Sequence, residues 1–131
     1  MMKNAQEWLN EIYPIKSQRK KVKKILIESK EKENLPDLQL FSENPENKHY
    51  LDIKLEKELD LSDFVNLEKL SISGQKITEL KISNCSNLTY LNCPENELKN
   101  LNLSKLVNLE TINCSNNLLT EIDFSSQDPK K

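Results

Sequence analysis

The chain has 131 residues, a net charge of −2 from 19 Lys/Arg against 21 Asp/Glu, 5% aromatic residues and a single Gly. That length fits one domain, the near-balanced charge supplies no field for nucleic acid, and no run approaches the roughly 18 apolar residues of a membrane span or the core of a signal peptide. Three cysteines without CxxC spacing and one histidine argue against a disulfide framework and a zinc site, so neither metal nor cofactor is expected.

Asn4 followed by Glu7 has capping-box spacing, and Trp8, Leu9, Ile12 and Tyr13 recur at helical intervals up to Pro14. Residues 1–15 therefore read as an amphipathic helix. From 16 to 58 the pattern loosens. Val22, Ile25 and Ile27, then Leu35, Leu38 and Leu40, then Leu51 and Ile53 keep an LxL-like spacing. They predict one or two degenerate coils, with strands at the LxL pairs and a polar loop over 42–48 around Pro45. A competing reading makes 16–33 one charged helix with Val22, Ile25, Leu26 and Ser29 on one face. The basic run 18–24 has the make-up of a nuclear-import signal or an RNA contact. It lacks interleaved aromatics to stack bases, and Glu28, Glu31 and Glu33 follow it, so it reads as solvated charge.

Beyond residue 58 the chain repeats every 21 residues, as LEKLSISGQKITELKISNCSN (67–87), LTYLNCPENELKNLNLSKLVN (88–108) and LETINCSNNLLTEIDFSSQDP (109–129). Leu70, Leu91 and Ile112 align, as do Ile72, Cys93 and Cys114, and Leu80, Leu101 and Ile122. Polar columns recur with them: Gln75, Asn96 and Asn117; Ser62, Ser83, Ser104 and Ser125; Asn66, Asn87 and Asn108. LxxLxL occurs twice per block, and its period-two alternation is that of a strand with leucines facing inward. Two such segments per block give a flattened tube with a sheet on either side. Asn96 and Asn117 fall at the corners, where backbone groups lack ladder partners and a stacked amide can serve them.

LTYLNCPENEL (88–98) and LETINCSNNLL (109–119) follow LxxLxLxxNxL and resemble the leucine-rich repeat. The 21-residue, internally duplicated form resembles its IRREKO-type subclass. The likeness is tight over 67–124 and partial over 46–66, where Leu59, Leu61, Ser62, Phe64 and Asn66 fit but His49 and Glu56 stand in apolar columns. The resemblance implies a parallel-stranded solenoid that binds protein partners and carries no catalytic residues. The expected fold class is thus α/β repeat, a leucine-rich-repeat β-solenoid with short parallel strands and an N-terminal helical cap. Its expected parts are a capping helix (1–15), degenerate repeats and a loop (16–58), regular repeats (59–126) and a tail (127–131). The helix holds the only Trp and suits the apolar end of a first coil. No equivalent follows Phe124, which leaves the last edge open to a partner, a second copy or a further domain.

Catalysis has little to build on. A lone Gly74 cannot make a phosphate loop, His49 reads as an exposed residue in an irregular stretch, and Cys93 and Cys114 fall in the inward column, where a buried thiol is inert. Glu79, Glu121 and Asp123 read as a solvated face. No enzyme activity is expected. Outward positions on the first strand of each block are Lys69, Ser71 and Ser73, then Tyr90, Asn92 and Pro94, then Thr111, Asn113 and Ser115. A parallel ladder spaces such side chains about 4.8 Å apart in a preordered grid. The expected partner-binding residues are Lys69, Ser71, Tyr90, Asn92, Thr111 and Asn113, with Tyr90 as anchor; in the plainer reading Tyr90 only covers strand backbone. The expected function is a non-catalytic protein–protein interaction module in the cytoplasm, or in the nucleus if the basic run is a signal. Self-association through the C-terminal repeat is the structural alternative, and no nucleic-acid or membrane partner is expected.

Overall fold

The computed structural model describes residues 2–29 and 48–123. The elements are β1 (Met2–Asn4), α1 (Ala5–Ile12), α2 (Lys16–Arg19), β2 (Lys24–Ser29), β3 (Lys48–Leu51), β4 (Lys54–Asp60), β5 (Lys69–Ile72), β6 (Lys76–Lys81), β7 (Tyr90–Asn92), β8 (Asn100–Asn102), β9 (Thr111–Asn113) and β10 (Glu121–Asp123). The expectations placed on Leu35, Leu38, Leu40, Glu31, Glu33, residues 42–47, Phe124, Ser125 and 127–131 lie outside the described residues.

Asn4 caps α1, its Oδ1 accepting from the Glu7 backbone N–H at 3.1 Å, which satisfies one of the orphan donors of the first turn. The helix buries Ala5, Trp8 and Leu9 and packs on β4 and β1. The Gln6 side chain ties it down by accepting from Asp60 N at 2.7 Å. The stretch 16–29 is not one long helix, and the LxL pair Ile25 and Ile27 lies on a strand as that spacing predicts. A single turn of α2 gives way to β2, where Ile25, Leu26 and Ile27 are consecutive and all fully buried. Three aliphatics in a row need cover on both faces. A strand inside a parallel sheet provides that, whereas a helix would turn one of them away.

Among the described residues all the strand pairings are parallel. Five strands form one sheet in the order β3-β2-β5-β7-β9, three form another as β1-β4-β6, and β8 pairs with β10 alone. This corrects the expected fold class. A leucine-rich-repeat solenoid would stack its coils in chain order with a continuous sheet on each side. Here the described residues fold as a small α/β domain of parallel sheets with two short helices. Strand β3 lies outside β2, β2 pairs directly with β5, and the second side is split between β6 and β8. The sequence of β2 explains the first departure, because its buried Ile25–Ile27 run takes an inner place and the partly exposed Lys48–Leu51 is left at the edge.

Where the 21-residue spacing holds, the register is strict. Ile25, Leu70, Leu91 and Ile112 lie side by side on β2, β5, β7 and β9. Leu55, Leu59, Leu61, Ile77, Leu98, Leu101 and Leu103 line the opposite wall of the same core. Each fully buried aliphatic contributes about 1.5–3 kcal/mol relative to exposure. The corners are closed by amides. Asn96 donates to the carbonyls of Ile72 (3.0 Å), Cys93 (3.4 Å) and Pro94 (3.1 Å) and accepts from Ile77 N (3.3 Å). Asn117 repeats this one layer on, and Gln75 accepts from Leu55 N one layer earlier. Next to that column, Gly74, Glu95 and Asn116 all hold positive φ (69°, 58° and 57°). The turn geometry therefore recurs even where the residue is not glycine, at a conformational cost to Glu95.

Candidate functional site

The face expected to recognise a partner is built by β5, β7 and β9. Lys69, Tyr90 and Thr111 are register partners across the three strands, as are Ser71, Asn92 and Asn113. Backbone bonds at the strand starts lock the row: Thr89 N and Tyr90 N donate to Glu68 O, and Glu110 N and Thr111 N donate to Thr89 O. Lys69 Nζ donates to Thr89 Oγ1 at 3.3 Å. Beside the row lies an open groove of about 380 Å³ lined by Glu68, Asn87, Thr89, Asn108 and Glu110. Its amide wall is tied between layers, with Asn87 donating to Asn66 Oδ1 and Asn108 to Ser86 O.

The six expected contact residues divide. Lys69 and Tyr90 are half-buried, and Thr111 and Asn113 are exposed. Ser71 and Asn92 are buried, as are Ser73 and Pro94, which corrects their assignment to the solvent face. Asn92 Nδ2 donates to Ser71 Oγ at 2.9 Å, and Ser71 and Ser73 hydroxyls donate to the carboxylate of Glu28 at 3.3 and 2.5 Å. Burying a carboxylate requires such partners. Ser, Asn and Glu read as solvent residues in a sequence. Nothing in a repeat column shows that residues 43 and 45 positions apart supply the compensating bonds.

Two more expectations need correction. His49 is neither in an irregular stretch nor exposed: it lies in β3, in register with Ile27, and is half-buried. Its ring meets Trp8 and Tyr13 edge-on, at 5.1 and 5.8 Å between centroids, and its Nε2 is hydrogen-bonded to the Tyr13 hydroxyl at 2.8 Å. Burial pushes its pKa down to about 4, so the imidazole is neutral at ordinary pH. The basic run is not wholly solvated either, because Arg19 is buried. It donates to Tyr13 O, Asn10 Oδ1 and Asp63 Oδ2 and lies 5.5 Å over the Phe64 ring. The open cleft beside it, lined by Gln6, Asn10, Lys16, Asp60 and Asp63 among others, is the mouth of that latch. Burial raises the Cys85 and Cys93 thiols to about 12 and raises Cys114 as well.

Compared with protein-family models, curated proteins and solved structures, the chain matches none. The leucine-rich-repeat resemblance therefore rests on the repeated columns alone. No helix among the described residues is long and apolar enough to cross a membrane.

Proposed function

We propose that this chain is a non-catalytic protein-binding domain whose contact surface is the row Lys69, Tyr90 and Thr111, with Asn113 and the groove between Glu68 and Glu110. The register of those three residues on adjacent strands carries the reading. Backbone ladders fix the row before any partner arrives, so binding loses little chain entropy. Tyr is enriched among the residues that dominate interface energies, which makes Tyr90 the anchor of the row. The non-catalytic part is supported by the occupation of the reactive groups. His49 is engaged by Tyr13 and Trp8, and burial keeps Cys85 and Cys93 protonated.

Affinity capture on immobilised wild type and Tyr90→Ala tests it. The variant is expected to lose about 2 kcal/mol of binding, a tenfold or larger weakening, with an unchanged urea midpoint. Partners held equally by wild type, Tyr90→Ala and Glu110→Lys would sink the proposal. A second reading, assembly through the β9 end of the sheet, is favoured by the exposure of Ile112 (36%) and Leu118 (55%).

A further inference from the structure

We propose that Cys93 and Cys114 form a two-coordinate thiolate site for a soft monovalent cation, copper(I). The inference goes beyond the recognition surface and uses thiols that belong to the core.

Consecutive layers of one inward file carry Ile72, Cys93 and Cys114, so thiols replace an aliphatic side chain twice running. The register of β7 and β9 ends at Asn92 and Asn113, and Cys93 and Cys114 follow it directly. Two sets of bonds hold their backbones side by side. Cys93 N–H donates to Asn113 O at 2.7 Å, and Nδ2 of Asn117 donates to both Cys93 O (2.9 Å) and Cys114 O (3.1 Å). Burial is the main cause that raises the Cys93 thiol, and charge on Cys114 adds to it, which puts the two sulfurs within electrostatic reach. Cys85 stands apart, its Sγ donating to Leu61 O at 3.6 Å.

Adjacent parallel strands lie about 4.8 Å apart, and side chains standing on them keep roughly that separation. On the scale of the zinc–thiolate bond, about 2.3 Å, a linear S–metal–S unit spans about 4.6 Å. The two layers therefore present their sulfurs at the spacing of linear coordination. A direct disulfide needs its Cβ atoms about 3.8 Å apart, closer than the strands lie. The ligand count selects the ion. Zinc takes four ligands, and calcium and magnesium take six or more, mostly oxygens. Among the described residues no group of three or more His, Cys, Asp or Glu side chains is placed to hold a metal. Copper(I) is preferred by soft thiolates and is satisfied by two of them. Binding exchanges protons for metal: Cu⁺ and two Cys–SH give an anionic bis-thiolate and two H⁺. Its charge is borne toward half-buried Cys114, where desolvation costs less than at buried Cys93.

Titration of the full chain under argon, with copper(I) supplied on bathocuproine disulfonate, is expected to transfer one copper per chain and release two protons. Cys93→Val and Cys114→Val, which restore the aliphatic of the file, are expected to take none, and folded Cys85→Ala still takes one. X-ray absorption of copper-loaded wild type is expected to show two sulfur neighbours only, an arm that stands whether or not the variants fold. Zinc offered on a chromogenic chelator is expected to stay there. Copper left on its chelator by wild type would overturn the proposal. So would copper lost from folded Cys85→Ala as fully as from Cys93→Val, more than two ligands at the copper, or zinc taken up equally.

Discussion

The five-stranded sheet finishes differently at its two edges. At β3 the inward file of Ile27 and Ile72 ends in His49, roofed by the rings of Trp8 and Tyr13. At β9 the file of Ile25, Leu70 and Leu91 ends in Ile112, which is 36% exposed while the other three are fully buried. The same column thus makes core in the middle and surface at the β9 edge, so energetic weight depends on the layer and not on the column.

Leu91→Ala and Ile112→Ala test this most strongly. Removing Leu91 is expected to cost about 2–5 kcal/mol in urea unfolding, and Ile112 clearly less because its cavity opens to solvent. Equal losses would mean that the β9 layer is as enclosed as its neighbours. The corner amides grade the same way. Asn96→Ala strands buried carbonyls and the Ile77 N–H and is expected to cost about 1–3 kcal/mol. Asn117→Ala, half-buried, costs less by the same assay.

Thiol chemistry sharpens the contrast without perturbing packing. Cys93 and Cys114 share a column, yet the first is buried and the second only half-buried. Maleimide at pH 8 is expected to label Cys114 first, with Cys85 and Cys93 reacting only on unfolding. Simultaneous labelling of Cys93 and Cys114 would erase the distinction.

The pH-dependent effect lies at the β3 edge. His49 titrates near 4 when folded and near 6.5 when unfolded, so the unfolded chain binds more protons between those values. Its contribution is fully present above about 6.5 and is lost as pH falls toward 4. Replacing His49 with Phe is expected to flatten the stability profile across that window and leave its slope unchanged above pH 7. A profile unchanged at every pH would show that the imidazole is not held neutral.

Of the candidate surface, the register of Lys69, Tyr90 and Thr111 was legible in the sequence because it follows from spacing alone. The burial of Ser71 and Asn92 was not, because it depends on Glu28 and on neighbours from distant segments. Arg19 was hidden for the same reason: in a run of lysines nothing local marks one cation for burial. The positive-φ column at Gly74, Glu95 and Asn116 carried a weak signal, a turn position one residue before the amide column.

By itself, the sequence determined the 21-residue register, the inward files, the corner amides and the Asn4 cap, because each depends on residues one turn or one repeat apart. Only the tertiary structure decided that β3 lies outside β2, that the second side divides between β6 and β8, and which outward polar residues are enclosed. Those outcomes depend on which strand needs cover on both faces and on hydrogen bonds across more than 40 residues, and a periodic pattern contains neither.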